Sequence, residues 1–204
     1  MVVIVDYGMG NLGSIVNTLR RIGVSAKVTS NPDDILAADR IILPGVGAFD
    51  KGMENLKGSG LVPALEEQVL ENGVPVLGIC LGMQLLSEKS AEGHVQGLGW
   101  IRAETIRFHF EPNGGRVKIP HMGWNSVEPN GDPLLSTITS GDRFYFVHSY
   151  HIAHIDEELV SGMTTYRYAF PSVIRQENIH GIQCHPERSH SSGVRILKNF
   201  VGLS

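Results

Sequence analysis

The chain has 204 residues and a formal net charge of −4, with 42% hydrophobic and 19% charged residues. This balance is typical of a globular domain and excludes a disordered chain, while the acidic excess argues against a nucleic-acid-binding protein. Two cysteines, Cys80 and Cys184, are too few for a disulfide framework. We see no signal peptide and no apolar stretch of about 18 residues. We therefore expect one soluble, cytoplasmic domain spanning residues 1–204.

The first half alternates short apolar runs with helical patterns. Strands are predicted at residues 2–5, 26–29, 41–43 and 74–79, and helices at residues 11–22, 61–71 and 82–88. Alternation of this kind is typical of an α/β fold with a mostly parallel central sheet flanked by helices.

The second half changes character. Strands are predicted at residues 100–109, 117–119, 144–150, 166–169 and 172–176. Turn residues between them, at Asn113-Gly114-Gly115 and Asn130-Gly131, favour antiparallel hairpins at the sheet edge. A last helix is predicted from about Ser192, with Val194, Leu197 and Val201 facing inward.

A strand followed by a tight turn surrounds Cys80. The segment reads Gly78-Ile79-Cys80-Leu81-Gly82 and leads into a predicted helix, which is the nucleophile-elbow pattern with cysteine as the nucleophile. The turn leaves no room for side chains two positions before and after the nucleophile, and a helix start favours a thiolate. The amide of Leu81 is then placed to bind an oxyanion. The alternative is that Cys80 is a small buried side chain.

A candidate base lies near the C-terminus. In an extended segment His185 and Glu187 would project to the same side, so Glu187 could orient the imidazole while its other nitrogen meets the Cys80 sulfur. Cys184 would point the other way, into the core. The alternative for His185 and Glu187 is an ordinary surface pair.

A glycine-rich loop follows the third predicted strand. It reads Pro44-Gly45-Val46-Gly47-Ala48, and glycines let backbone amides approach a ligand closely. At the carboxyl edge of a parallel sheet this loop could complete an oxyanion hole through Val46 and Gly47. A plain strand-to-helix turn is the alternative.

Two other sites are weaker. The segment Gly8-Met9-Gly10-Asn11-Leu12-Gly13 matches a dinucleotide fingerprint, but Asp33 lies in a predicted loop and not at the end of a strand. His148, His151 and His154 are spaced by three within or beside a predicted strand, where they need not share a face, so we expect no metal site. The fingerprint segment still belongs to the rim of the predicted site.

Together the motifs resemble the class I, or triad, glutamine amidotransferases. The resemblance rests on Pro44-Gly45-Val46-Gly47, Gly78-Ile79-Cys80-Leu81-Gly82-Met83-Gln84 and His185-Pro186-Glu187. Further segments resemble one branch of glutaminase subunits, and these are Asp6-Tyr7-Gly8-Met9-Gly10-Asn11, Ile119-Pro120-His121-Met122-Gly123-Trp124-Asn125 and Tyr145-Phe146-Val147-His148-Ser149-Tyr150. The resemblance extends from about residue 3 to residue 200.

The resemblance implies a glutaminase without a cofactor, with L-glutamine as substrate. Cys80 would attack the glutamine amide, with His185 and Glu187 as base and orienting residue. Leu81 with Val46 or Gly47 would hold the oxyanion. The positions that match glutamine-binding residues are Gly45, Gln84, Ser149 and Tyr150.

The resemblance also implies a heterodimer with a (β/α)8-barrel cyclase subunit that receives the ammonia. Asn11, Trp124, Tyr145 and Arg188 match positions near that interface. The family usually carries lysine where this chain has Arg188, and the two cations differ in geometry. Two alternatives stay open: a paralogous subunit that feeds a sugar-modifying synthase, and a non-catalytic binding module in which Cys80 only packs.

Overall fold

The computed structural model describes residues 1–111 and 118–203. Strands in this part of the chain are β1 (Val2–Val5), β2 (Ala26–Thr29), β3 (Arg40–Leu43), β4 (Val76–Ile79), β5 (Lys89–Ser90), β6 (Glu104–Arg107), β7 (His121–Asn125), β8 (Glu128–Pro129), β9 (Phe144–His148), β10 (Tyr150–Ala153), β11 (Val160–Tyr166), β12 (Tyr168–Gln176) and β13 (Ile179–Ile182). The α-helices are α1 (Leu12–Arg21), α2 (Pro32–Leu36), α3 (Phe49–Gly58), α4 (Val62–Glu66), α5 (Leu81–Leu85) and α6 (His190–Val201). A π-helical turn spans Glu67–Glu71, and 3₁₀ turns span Pro133–Leu135, Glu157–Leu159 and Pro186–Arg188. None of the described helices is long and apolar enough to cross a membrane.

A large mixed sheet organises the molecule, with strand order β2-β1-β3-β4-β13-β12-β11-β8. The first five strands pair in parallel and the last three pair antiparallel. This confirms the predicted mostly parallel α/β fold with antiparallel strands at one edge. Two small sheets accompany the large sheet, with strand orders β10-β6-β5 and β7-β9.

The core has one layer on each face of the large sheet. Side chains alternate along β1, so Val3 and Val5 pack on one face while Val2 and Ile4 pack on the other. Residues of α3, α4 and α5 cover the first face, and residues of α1 and α6 cover the second. Burial on both faces explains why β1 is a continuous apolar run.

Strands β4 and β13 lie side by side at the centre of the sheet. Their parallel register pairs Ile79 with Ile182, and the amide of Cys80 donates to the Ile182 carbonyl at 2.8 Å. The residues that follow both strands therefore meet at the same carboxyl edge of the sheet. This pairing brings the predicted nucleophile and the His185 segment together.

Two helices were not predicted. Residues 32–36, expected to be a loop around Asp33, form α2, because Pro32 is compatible with a first helical turn and Asn31 caps it by accepting from the Asp33 amide at 3.1 Å. Helix α3 was missed although Phe49, Met53 and Leu56 have helical spacing and are fully buried. Its two glycines, Gly52 and Gly58, weaken the sequence pattern.

The other helices lie where they were predicted, but their first and last residues differ from the prediction. The predicted helix 61–71 is α4 followed by the π-helical turn, and the predicted helix 82–88 is α5, which begins at Leu81 and ends at Leu85. The last helix begins at His190. Its buried face carries Ile196, Leu197 and Phe200, whereas Val194 and Val201 are half-buried.

The strand predictions of the second half were less accurate. Only β6 forms within residues 100–109, and the predicted strand 144–150 is divided into β9 and β10 by Ser149. The predicted strand 166–169 spans a hairpin turn, in which Arg167 has a φ of 69°. The predicted strand 117–119 starts outside the described residues, and Lys118 and Ile119 are not in a strand. The predicted turn at residues 113–115 also lies outside the described residues. Asn130-Gly131 does not join a hairpin, since β8 pairs with the distant β11.

Candidate active site

Cys80 occupies a strained turn between β4 and α5. Its φ of 54° and ψ of −109° fall in a region that non-glycine residues rarely adopt, so the surrounding structure must hold it there. The residue is 6% exposed. The geometry is that of the predicted nucleophile elbow.

Two glycines make this turn possible. A Cβ atom at Gly78 would lie 2.8 Å from the carbonyl group of Gly82 and from the Cα atom of Met83, which are backbone atoms that cannot give way. A Cβ at Gly82 would overlap the carbonyl group of Leu43 at the end of β3. The elbow therefore packs backbone against backbone, both within the turn and against β3.

His185 and Glu187 form a buried pair. The Nδ1–H of His185 donates to the Glu187 carboxylate at 2.9 Å, and both side chains are at most 4% exposed. The predicted reason for their contact was wrong, because the segment is not extended: Pro186 starts a 3₁₀ turn, and His185 is its N-cap residue. The turn, and not strand alternation, aims Glu187 back at the imidazole.

The groups around His185 favour its protonated form. Burial alone would lower the pKa of its imidazole, but the Cys80 sulfur and the Glu187 carboxylate together outweigh burial and raise that pKa to about 10. The Nε2 atom is buried without a hydrogen-bond partner among the described residues. Of the neighbours that raise the pKa of His185, the Cys80 sulfur has the largest effect. Cys184 is fully buried, and burial raises the pKa of its thiol, as expected for a packing residue.

Backbone hydrogen bonds hold His185 against β9. Its amide donates to the Tyr145 carbonyl at 2.9 Å. The hydroxyl of Ser189 accepts from the Tyr145 amide at 2.9 Å and donates to the His185 carbonyl at 2.6 Å. The imidazole is thus positioned by the sheet β7-β9 as well as by its own turn.

A chain of side-chain amides leads to the sulfur. Gln84, on α5, donates both to the Tyr150 carbonyl at 3.0 Å and to the Gln183 side-chain oxygen at 3.1 Å. Gln183 in turn donates to the Cys80 sulfur at 3.7 Å. Gln183 was not predicted as a site residue, although it lies only two residues before His185. Both amide hydrogens of Gln84 have acceptors within the protein, and its glutamine-binding role stays a prediction.

Ser149 and Tyr150 lie at the break between β9 and β10. The Tyr150 carbonyl accepts from Gln84 and also from the Nδ1–H of His148 at 2.7 Å. His148 Nε2 then accepts from His121 at 3.0 Å, and burial lowers the pKa of His148 to about 3 and of His121 to about 4, so both rings are neutral. Tyr150 therefore lies next to Gln84, and the glutamine-binding roles of Ser149 and Tyr150 stay predictions.

The glycine-rich loop lies over the elbow. Gly45 is so close that a Cβ there would lie 2.7 Å from the Gly82 nitrogen, and the Tyr7 hydroxyl donates to the Pro44 carbonyl at 2.6 Å. Gly47 has a φ of 121°, and Val46 is 45% exposed. Leu81 is the first residue of α5, where helix amides lack intrahelical acceptors. Gly45 thus lies against the residues that follow the nucleophile, and the oxyanion role of Leu81, Val46 and Gly47 stays a prediction.

The ends of this loop lie against Gly10, which belongs to the fingerprint segment, and near Glu92, which was not predicted. Gly10 packs against Pro44, where a Cβ would lie 2.9 Å from the proline ring, so the segment that matches a dinucleotide fingerprint forms part of the rim. Glu92 accepts from the amide of Phe49, the first residue of α3, at 2.8 Å.

An exposed aromatic patch adjoins His185. Trp124 is 47% exposed and stacks on His190 with ring centroids 5.0 Å apart, and the Arg188 guanidinium lies 4.9 Å from the centre of the Tyr145 ring. Asn11 precedes α1, which packs against the turn Pro186–Arg188. Trp124, Tyr145 and Arg188 therefore lie together beside His185, and Asn11 precedes a helix that packs against the same turn.

The histidines spaced by three do not form a metal site. His148 and His151 are buried among aromatic rings, while His154 is exposed and contacts Glu104. Residues 1–111 and 118–203 contain no group of three or more histidine, cysteine or acidic side chains arranged to hold a metal ion.

Comparison with known proteins decides the family. The profile of the family described as glutamine amidotransferase class-I matches residues 3–203. This chain belongs to the class I glutamine amidotransferases. Among curated members, imidazole glycerol phosphate synthase subunit HisH 2 of Pseudomonas aeruginosa is 47% identical and covers 100% of both chains. Subunit HisH of the same synthase from Moorella thermoacetica is 49% identical over 99% of this chain and 94% of its own.

The class I amidotransferase fold is also found in solved structures. One crystal structure of a glutamine amidotransferase superposes with a TM-score of 0.77 at 18% identity, covering 99% of this chain and 98% of the other. At this identity the likeness concerns the fold, and it agrees with the mostly parallel sheet described above.

Proposed function

We propose that this chain is a glutaminase subunit, a single domain over residues 1–204, that hydrolyses glutamine and passes the ammonia to a cyclase subunit forming imidazole glycerol phosphate in histidine biosynthesis. Cys80, His185 and Glu187 support this most strongly, because a strained cysteine faces a buried imidazolium that a carboxylate orients. The similarity to full-length HisH subunits supports the choice of pathway.

The geometry supports a two-stage reaction. The Cys80 thiolate attacks the side-chain amide carbon of glutamine, and the electron pair of the C=O bond moves to oxygen, held by the amides of Leu81 and of Val46 or Gly47. The C–N bond then breaks, and the Nε2 proton of His185 goes to the leaving nitrogen, which departs as ammonia. Neutral His185 next takes a proton from water, whose oxygen bonds to the thioester carbon. The C–S bond then breaks, so that glutamate leaves and the Cys80 thiolate and protonated His185 are restored.

The exposed patch of Trp124, Tyr145 and Arg188 supports a partner at this side of the molecule. Aromatic and arginine side chains are enriched at the centres of protein interfaces. A partner bound here would cover the site and receive ammonia directly; we propose a (β/α)8-barrel cyclase subunit. We place the complex in the cytoplasm, because both cysteines are free thiols and thiols are kept reduced there.

Two cysteine variants test the nucleophile. We expect Cys80→Ala to lose labelling by a glutamine-like alkylating reagent and to lose glutamine hydrolysis in the complex. Cys184→Ala is the matched control, since this residue packs in the core and should leave both readouts intact. Full hydrolysis by Cys80→Ala would contradict the mechanism and favour a binding module.

A second candidate is a subunit that supplies ammonia to a sugar-modifying synthase, and Arg188 leaves the identity of the partner open. The arginine stands where the family usually has lysine, and its guanidinium is engaged with the Tyr145 ring. Purified complexes with each partner class distinguish the two. Formation of imidazole glycerol phosphate from glutamine with the cyclase supports histidine biosynthesis, and ammonia transfer only with the sugar-modifying partner supports the alternative.

A further inference from the structure

The side-chain amide of Gln183 lies between Gln84 and the nucleophile. Its Oε1 accepts from Gln84 at 3.1 Å, and its Nε2 lies 3.7 Å from the Cys80 sulfur. Gln183 is fully buried, and its backbone amide donates to the Ser172 carbonyl at 2.8 Å. Neither its backbone nor its side chain is therefore free to move away from the sulfur.

One carbonyl group determines which end of each side-chain amide donates and which end accepts. The Tyr150 carbonyl can only accept, so the atom of Gln84 facing it must be the NH₂ group. The second hydrogen of that group points to Gln183, whose facing atom must then be oxygen. The opposite end of Gln183 is consequently an N–H donor, and it faces the Cys80 sulfur.

A donor in this position distinguishes the two forms of the sulfur. A hydrogen bond to the charged form of an acid stabilises that form, and a thiolate accepts hydrogen bonds better than a thiol does. We propose that Gln183 is a further catalytic residue, whose N–H stabilises the Cys80 thiolate, and that Gln84 is a positioning residue that sets the polarity of Gln183. This inference rests on the proposed role of Cys80 as the nucleophile.

Few other groups near Cys80 titrate between pH 5 and 9. Burial raises the pKa of Tyr7 and of Cys184 above their ordinary values, so both stay protonated in this range. His185 is the charged neighbour, with a pKa raised to about 10. His148, which interacts with His185, stays neutral because burial lowers its pKa to about 3. A change in the pH dependence of the sulfur after substitution of Gln183 can therefore be attributed to Gln183.

The test measures how fast iodoacetamide alkylates Cys80 as a function of pH in the full-length protein, with the labelled peptide identified by mass spectrometry. Gln183→Met keeps the length of the side chain and removes the donor. We expect its rate profile to move to higher pH by about one unit, so that labelling on the acidic limb falls roughly tenfold. Gln183→Glu brings a carboxylate oxygen to the sulfur, and we expect a larger shift in the same direction.

Gln68→Met is the matched control, because Gln68 is also a buried amide, donating to the Leu36 carbonyl far from the site. Circular dichroism verifies that each variant folds. If Gln183→Met or Gln183→Glu does not fold, Gln183→Asn is measured in its place. Unchanged profiles in folded Gln183 variants would overturn the inference. Glutamine hydrolysis by the wild-type complex is measured in parallel, so that an inactive complex with a shifted labelling profile would refute the proposed function alone.

Discussion

Replacing Glu187 by glutamine removes one charge from the buried pair and retains its shape. The carboxylate accepts from His185 at 2.9 Å, and both side chains are nearly inaccessible to solvent. The substituted amide can still present an oxygen to Nδ1. The change therefore isolates the contribution of the negative charge to the imidazolium.

The size of the effect follows from Coulomb's law. Two unit charges about 4 Å apart attract by about 4 kcal/mol at an effective dielectric constant of about 20, which corresponds to about three pKa units. Removing the Glu187 charge should therefore lower the pKa of His185 from about 10 to near neutrality, since burial continues to oppose the charge. Part of the enzyme would then lack the proton that the leaving nitrogen requires. We expect kcat to fall about twofold at pH 7 and roughly tenfold at pH 8, because a group with a pKa near 7 keeps its proton in about half and about a tenth of the molecules at these two values.

NMR titration of ¹⁵N-labelled histidine measures this pKa directly. Burial lowers the pKa of His121 and His180 to about 4, so these rings stay neutral above pH 6 and do not overlap with the titration of His185. The matched control is Glu104→Gln, which changes a half-buried carboxylate that accepts from the exposed His154 at 3.1 Å. Solvent screens that pair, so the control should leave the titration of His185 unchanged.

A pKa of His185 in Glu187→Gln within half a unit of the wild-type value would refute the reasoning. That result would mean that the charge of Cys80 alone maintains the imidazolium, and Glu187 would then serve only to orient the ring. The kcat measurement separates the two, because the amide of Glu187→Gln keeps the orienting contact, so that orientation without charge predicts an unchanged rate with an unshifted pH profile.

Two further predictions concern packing and the interface. Gly82→Ala places a Cβ against the Leu43 carbonyl and should lower the free energy of unfolding by about 3 kcal/mol. Gly13→Ala is the control, because open space surrounds Gly13, and it should raise the free energy of unfolding by roughly 0.5–1 kcal/mol. Equal midpoints of the two variants in urea unfolding would contradict the tight elbow. Trp124→Ala should weaken binding of the cyclase subunit by about 30-fold or more in calorimetry, while Leu70→Ala, exposed on the π-helical turn, should not; equal affinities would exclude the aromatic patch from the interface.

Local patterns were enough for the elements around the nucleophile. The apolar run of β1 is buried on both faces, and the glycines beside Cys80 are needed because backbone groups surround the turn. The same patterns failed for α3, whose glycines weaken its helical signal, and for the hairpin at Arg167, where the turn residue has a side chain in a conformation typical of glycine.

The amino-acid sequence by itself determined the alternation of strands and helices, the elbow at Cys80 and the choice of His185 and Glu187 as its partners. These depend on spacing within a few residues. Only the tertiary structure decided that β13 pairs with β4, that a 3₁₀ turn aims Glu187 at the imidazole, and that Gln183 faces the sulfur. Those contacts join segments about a hundred residues apart or depend on a single turn, and their direction is set by hydrogen bonds that a one-dimensional pattern does not contain.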